Sequence, residues 1–392
     1  MNPFSSRLDW DLPPNRLSRA LAAKRAAGAP LLDLTESNPT RAGFDYPPAI
    51  LDAFRDERAL RYDPAPAGLA SARAAVAGDF AERGFDVGPG RILLTASTSE
   101  AYAYLFKLLA DPGDEVLAPR PSYPLFEFLA RLESVSIVQY PLLYDHGWTI
   151  DFARLEEVWT PRARAVVIVN PNNPTGSFLK RGEGERLEDF CAARNLALIS
   201  DEVFSCYAFR PDPERVESLA GARRALAFCL GGLSKSCGLP QVKLGWIVAA
   251  GPDGLRRAAC ERLELIADTF LSAGTPAQCA LPVLLKAGAA VRAQIARRTA
   301  ANLSALRGAL GRTSPLRLLE AEGGWYATLQ APRVRPEEDW VLTLLEEDNV
   351  LVQPGYFFDF EQEAYLVVSL LARPAAFEEG IRRLVRRAAV LA

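Results

Sequence analysis

Four short polar runs in this chain stand directly behind apolar stretches of strand composition. Ser97-Thr98-Ser99 ends RILLTAS (91–97) and opens a helical segment, and Asn170–Gly176, NPNNPTG, ends RAVVIVN (164–170). Asp201-Glu202 follows LALIS (196–200), and Leu233-Ser234-Lys235 follows ALAFCLGG (225–232). In doubly wound sheets, ligands collect at the C-terminal ends of the strands. One pocket could therefore hold an amide, a carboxylate, an amine and a nest the size of a phosphate. Each run alone also fits an ordinary role: a loop stiffened by Pro and Asn, a helix cap, a helix start, a surface lysine. Their order along one chain is what makes them a set.

Composition removes other chemistries. His146 is the only histidine, set in the turn-like YDHGWT, so a His-rich zinc site cannot be built and any serine or cysteine triad would have to use that one ring. Lysines stand only at 24, 107, 180, 235, 243 and 286, and two of the six fall within nine residues. The 45 Lys+Arg nearly balance 48 Asp+Glu for a net charge of −3, with no basic run, which argues against nucleic acid as a partner. Six scattered cysteines without a CxxC pair, and an N-terminus MNPFSSRLDW without an apolar run, are read as a reduced, cytoplasmic chain. No stretch approaches the roughly 20 uninterrupted apolar residues that span a bilayer, so no membrane helix is expected.

The elements that must position these residues follow from periodicity. With 392 residues, 49% of them hydrophobic and 24% charged, the chain can bury a large core and has length for two. Between about 91 and 250, short β-rich runs alternate with helical stretches, the rhythm of a mostly parallel α/β sheet between helices. Seven strands are expected: 91–97, 114–119, 135–141, 164–170, 196–200, 225–232 and 244–250. SEAYAYLFKLLA (99–110) and ERLEDFCAARN (185–195) have helical spacing, and a long helical stretch covers 254–310 with a break near 272–277. GGWYATLQ (323–330), NVLVQPG (349–355), AYLVVSLL (364–371) and a final Arg-rich helix suggest a smaller α+β domain. The expected division is a large domain over 45–275 and a small one from 1–44 and 276–392.

NPNNPTG, then DEV with its Asp 28 residues after Asn173, then LSK and a downstream KLGW, resembles the class I and II aminotransferases of the fold-type I pyridoxal-phosphate enzymes. The resemblance runs from DLTESNPT (33–40) to VVSLL (367–371). It implies pyridoxal 5′-phosphate as cofactor, an amino donor and an oxo-acid acceptor as substrates, and a homodimer with shared active sites. It also implies roles. Lys235 would form the Schiff base with the cofactor aldehyde and move the substrate proton, and Asp201 would keep the pyridine nitrogen protonated. Asn173 would bond the phenolic oxygen and Tyr123 would stack on the ring. Ser97, Thr98 and Ser99 would surround the phosphate, Ser234 would be a further cofactor contact, and Tyr62 would reach the phosphate of the neighbouring subunit.

Four positions depart from the family pattern. Phe204 stands where a tyrosine usually donates to the phenolic oxygen, a role Tyr207 could take over. Gly232 replaces a phosphate-binding serine. Lys243 replaces an arginine, offering a point charge instead of a fork. Val367-Val368-Ser369 stands where an Arg-apolar-Ser strand grips the substrate carboxylate, leaving Arg373 as a substitute cation and Ser37 and Asn38 as further substrate contacts. The missing arginine keeps a lyase, decarboxylase or cyclase open beside transamination, and a non-catalytic binding module that kept the fold is the alternative from another class.

Overall fold

All seven expected runs fold as strands in the computed structural model, which describes residues 4–10, 13–311 and 313–391; the first residues of the N-terminal run lie outside it. In chain order the strands are β1 (Ile92–Thr95), β2 (Glu115–Arg120), β3 (Ser136–Tyr144), β4 (Trp148–Ile150), β5 (Ala163–Val169), β6 (Ala197–Asp201), β7 (Ala227–Gly232) and β8 (Gly245–Ala250). They form one sheet in the order β1-β8-β7-β6-β5-β2-β3-β4. The strands from β7 across to β3 are parallel, whereas β8 runs antiparallel to both of its neighbours. The eighth strand, β4, was not expected: His146, exposed and at φ 54°, turns the chain so that Trp148–Ile150 folds back on the end of β3.

Side chains alternate across this sheet, and both faces are buried, which is why the strands read as continuous apolar runs. Val116, Ala165, Val167, Ile199, Phe228 and Ile247 pack on one side under helices Thr98–Leu109 and Asp253–Phe270. Leu117, Val166, Ile168, Leu198, Cys229 and Val248 pack on the other with helices Ala70–Glu82, Arg181–Arg194 and Thr275–Leu310.

The C-terminal part adds a four-stranded antiparallel sheet in the order Arg317–Leu318, Tyr326–Gln330, Tyr365–Ser369, Gln353–Pro354. Leu32–Asp33 pairs in parallel with Val350–Leu351, joining the two ends of the chain. The 36-residue helix Thr275–Leu310 is long and apolar enough by composition to cross a membrane, a property that the count of uninterrupted apolar residues did not reveal. Here its apolar face supplies Leu281, Leu284, Val291 and Ile295 to the core of the large sheet and Leu303, Leu306 and Leu310 to the core of the small one.

The two sheets are tied together where the NPNNPTG loop meets residues 321–326. Gly176 O accepts from Glu322 N and Gly323 N, Gly324 N donates to Tyr207 O, and Lys180 pairs with Glu322 and Asp212. Gly176 lies at φ 71°, and a Cβ there would come within 2.5 Å of Gly323 O. Gly84 has a similar φ of 84° with nothing within 4 Å. Gly176→Ala is therefore expected to destabilise the protein by about 2 kcal/mol or more, and Gly84→Ala by only about 1 kcal/mol, because only the first adds a backbone collision to the left-handed penalty. Chemical denaturation of both variants checks the order; equal losses would contradict the close approach.

Candidate functional site

Register brings the polar ends of the parallel strands level. Val169 of β5 pairs with Asp201 of β6, and Asp201 with Leu230 of β7. Asn170 N donates to Asp201 O and Glu202 N to Leu230 O, so the three exits leave the sheet side by side. A cavity of about 320 Å³ opens there, lined among others by Ser97, Thr98, Ser99, Asn173, Asp201, Phe204, Ser234, Lys235 and Lys243.

Asp201 is buried. Its Oδ1 accepts from Val203 N at 3.2 Å and its Oδ2 from the Tyr102 hydroxyl at 3.2 Å. Burial pushes its carboxyl up to about 6, against the opposing pull of the Val203 N–H, the Tyr102 hydroxyl and the Lys235 charge. Lys235 has its ammonium form disfavoured by burial. Its Nζ lies 5.7 Å from the Phe204 ring centre and 5.2 Å from that of Trp325, and no acceptor among the described residues takes a hydrogen bond from it.

Of the three asparagines in the loop after β5, two are engaged. Asn170 accepts from Leu179 N and donates to Val216 O; Asn172 bonds Pro121 O, Thr175 Oγ1 and Ser122 Oγ. The buried Asn173 amide is left with Oδ1 unpartnered. Helix Thr98–Leu109 begins at the cavity. Ser97 caps it by accepting from Glu100 N at 3.1 Å, so its hydroxyl is engaged while the N–H groups of Thr98 and Ser99 stay free at the positive end of the helix. Lys243, at φ 57°, makes no ion pair among the described residues. Amine, shielded carboxylate, orphaned amide and anion-binding helix end fit a phosphorylated aromatic aldehyde with a ring nitrogen.

A sequence profile described as aminotransferase class I and II matches residues 29–384. The chain belongs to the class I and II aminotransferases. Members of this family are pyridoxal-phosphate enzymes of fold type I, and membership does not favour the lyase, decarboxylase, cyclase or binding-module alternatives. The glutamate-pyruvate aminotransferase of Escherichia coli K12 is 32% identical over 66% of this chain, which spans 64% of that enzyme's length. The alanine aminotransferase of Mycobacterium tuberculosis is 28% identical over 93% of this chain and 86% of its own. The solved alanine aminotransferase of Pyrococcus furiosus, at 21% identity, shares the fold with a TM-score of 0.88, covering 99% of this chain and all of that one.

Several aminotransferase positions depart from expectation for visible reasons. A side chain at Gly232 would meet Gly245 Cα and Leu244 O at 3.1 Å, so β7 and β8 run too close there for a serine without adjustment. The Tyr207 hydroxyl donates to Lys235 O at 2.6 Å and is not free to replace the phenol that Phe204 lacks. Val367 is fully buried in the large core, facing away from Leu366 and Val368 in the small one.

Tyr123 and Ser37 also line the cavity. Two expected substrate contacts, Asn38 and Arg373, do not, and neither does Tyr62, which was expected at the neighbouring subunit's site. Asn38 Oδ1 accepts from Thr40 N and Thr40 Oγ1 within its own loop, the exposed Arg373 guanidinium lies over Gly43, and Tyr62 is 77% exposed at a separate surface recess. Sequence reasoning missed Tyr102 and Tyr326. Both sit in apolar segments and read as core, and only the polar tip that a buried tyrosine must satisfy could have marked them.

Asp201 gives a pH prediction. A carboxyl raised in the folded state stabilises fully below its unfolded value of about 3.9, and that contribution is lost as pH rises through about 6. The cofactor-free Asp201→Asn variant is expected to gain on the order of 2–3 kcal/mol over the parent at pH 8 and nothing at pH 4. Denaturation at both pH values checks this; a difference independent of pH would contradict the buried charge.

Proposed function

We propose that the chain is an aminotransferase that uses pyridoxal phosphate to move an amino group between an α-amino acid and a 2-oxo acid, and that it acts as a cytoplasmic homodimer. The observation that carries the reading is the meeting in one cavity of Lys235, the buried Asp201, the unpartnered Asn173 amide and the free N–H groups of Thr98 and Ser99. Pyridoxal phosphate supplies an aldehyde that reacts with amines and a protonated ring that accepts electrons.

The residues divide the work. Lys235, whose ammonium form burial disfavours, would be the amine that takes the aldehyde and the base that would move the proton at the substrate α carbon. Asp201 would accept the charge-assisted hydrogen bond of the ring nitrogen, Asn173 would bond the phenolic oxygen, and Tyr123 would pack against the ring. The helix end at Thr98 and Ser99 would hold the phosphate, with Ser97, Ser234 and the point charge of Lys243 around it. Phe204 and Trp325, 5.2 Å apart and edge to face, keep water from the amine.

No arginine among the described residues lines the cavity, so the hydroxyls of Ser37 and Tyr326 are assigned to the substrate carboxylate, and Arg373 and Asn38 are left outside that contact. Tyr62, with Leu60 88% and Leu51 77% exposed in the same stretch of chain, supports a second copy against this surface and a hydroxyl reaching the neighbouring phosphate. Residues 45–275 would form the cofactor unit, and 1–44 with 276–392 the second unit. Six free cysteines support the cytoplasmic placement.

The glutamate, pyruvate and alanine in the names of the relatives are the first substrates to test. The loaded protein is expected to take the amino group from alanine or glutamate, seen as a change in cofactor absorbance; simple amines reacting faster than every amino acid would overturn the substrate assignment. Lys235→Ala should lose turnover. Lys243→Ala should raise the cofactor dissociation constant about tenfold, the equivalent of one charged contact near 1.4 kcal/mol, with kcat kept at saturation. Lost turnover with unchanged cofactor affinity would contradict that assignment.

A further inference from the structure

Helix Thr98–Leu109 touches the site at two places. Its first turn offers the free N–H groups of Thr98 and Ser99 to the cavity. Tyr102, four residues after Thr98 and so on the same face of the helix, reaches the side chain of Asp201. The Tyr102 ring is fully buried between Phe106, at 5.9 Å, and Phe126, at 5.4 Å and edge to face, so its hydroxyl has a fixed position. That hydroxyl donates to Asp201 Oδ2 across 3.2 Å and has no other partner among the described residues. The second carboxylate oxygen accepts only the Val203 N–H.

We propose that Tyr102 is a positioning residue for the cofactor site: it fixes the orientation of the Asp201 carboxylate and holds it ionised, and it ties that carboxylate to the helix whose N-terminus binds the phosphate. The inference rests on the reading of Asp201 as the partner of the ring nitrogen. A hydroxyl that donates to a carboxylate favours the charged form, and in a buried site few other groups do so. The groups acting on Asp201 are Tyr102 from the helix, the Val203 N–H and the Glu202 charge from its own strand exit, and Lys235 from the exit of β7. Tyr123, on the loop after β2, has its own phenol pushed up to about 12 by burial and by the Asp201 charge. Of these, Tyr102 is the one side chain with a direct hydrogen bond to the carboxylate. The rigid helix then makes the distance between phosphate end and ring-nitrogen end a property of one element instead of two independent loops.

The test is Tyr102→Phe in the full-length protein, which removes one oxygen and keeps the ring. Tyr104→Phe on the same helix, whose hydroxyl lies 3.3 Å from Ser272 Oγ, controls for loss of a tyrosine hydroxyl as such. In cofactor-free protein carrying ¹³C-labelled aspartate, with the Asp201 signal assigned by Asp201→Asn, the Asp201 midpoint near 6 is expected to rise by about one unit in Tyr102→Phe, a tenfold change in its ionisation, and to stay in place in Tyr104→Phe. In the loaded enzyme the acidic limb of the kcat profile should move up with it while KM for the amino donor changes little. An Asp201 midpoint unmoved in Tyr102→Phe overturns the proposal, as does an equal shift in both variants. The underlying reading fails separately: Asp201→Asn with undiminished cofactor affinity and turnover would remove Asp201 from the ring nitrogen, whatever Tyr102 does to its titration.

Discussion

A carboxylate taken out of water at the end of β6 is the constraint around which the site is arranged. Asp201 is buried by its neighbours on β5 and β7, by Tyr102 above it and by the aromatic cluster beside Lys235, and burial alone would favour its neutral form. Among the described residues, two hydrogen bonds and the Lys235 charge offset that cost. A partly compensated charge of this kind destabilises the empty protein, and a cationic hydrogen-bond donor in the cavity removes the penalty. The binding energy of the cofactor is in this sense prepared by the fold, through strands whose register is set by apolar packing far from the chemistry.

The same logic gives the unusual positions a common character. The close approach of β7 and β8 crowds any side chain at Gly232, Phe204 packs edge to face on Trp325 with no hydroxyl to offer, and Tyr207 is committed to the Lys235 carbonyl. In the proposed reading the backbone and dipole of helix Thr98–Leu109 would carry much of the grip on the phosphate, and Asn173 would serve the phenolic oxygen without help from Phe204 or Tyr207. The alteration at Val367 belongs to the small sheet: its side chain completes the large core, so an arginine there would have to leave that core or bury its charge in it.

Much of this was legible in the sequence. Strands buried on both faces announce themselves as apolar runs, and the polar runs that end them, with Asn173, Asp201, Ser234 and Lys235, line one cavity, whereas the role of each residue came from the family resemblance and not from spacing. Strand β4 was not legible, because Trp148–Ile150 is three residues long and follows a turn centred on the one histidine. Tyr102 and Tyr326 were hidden for another reason: periodicity places a tyrosine on a buried face without saying what its hydroxyl meets. Asn38 and Arg373 show the converse, since a motif fixes where a residue stands along the chain and not which way its side chain turns. Local hydrogen bonds hold Asn38 in its own loop, and the Arg373 guanidinium lies against Gly43.

The central claim is that one lysine, set beside the shielded carboxylate, is the covalent anchor of the cofactor. Borohydride reduction of the loaded full-length protein, followed by proteolysis and mass spectrometry, tests it most directly. The account predicts a single modified residue, Lys235, carrying the mass of the reduced cofactor. Modification at Lys243, or no covalent cofactor in a protein that still turns over, would contradict it.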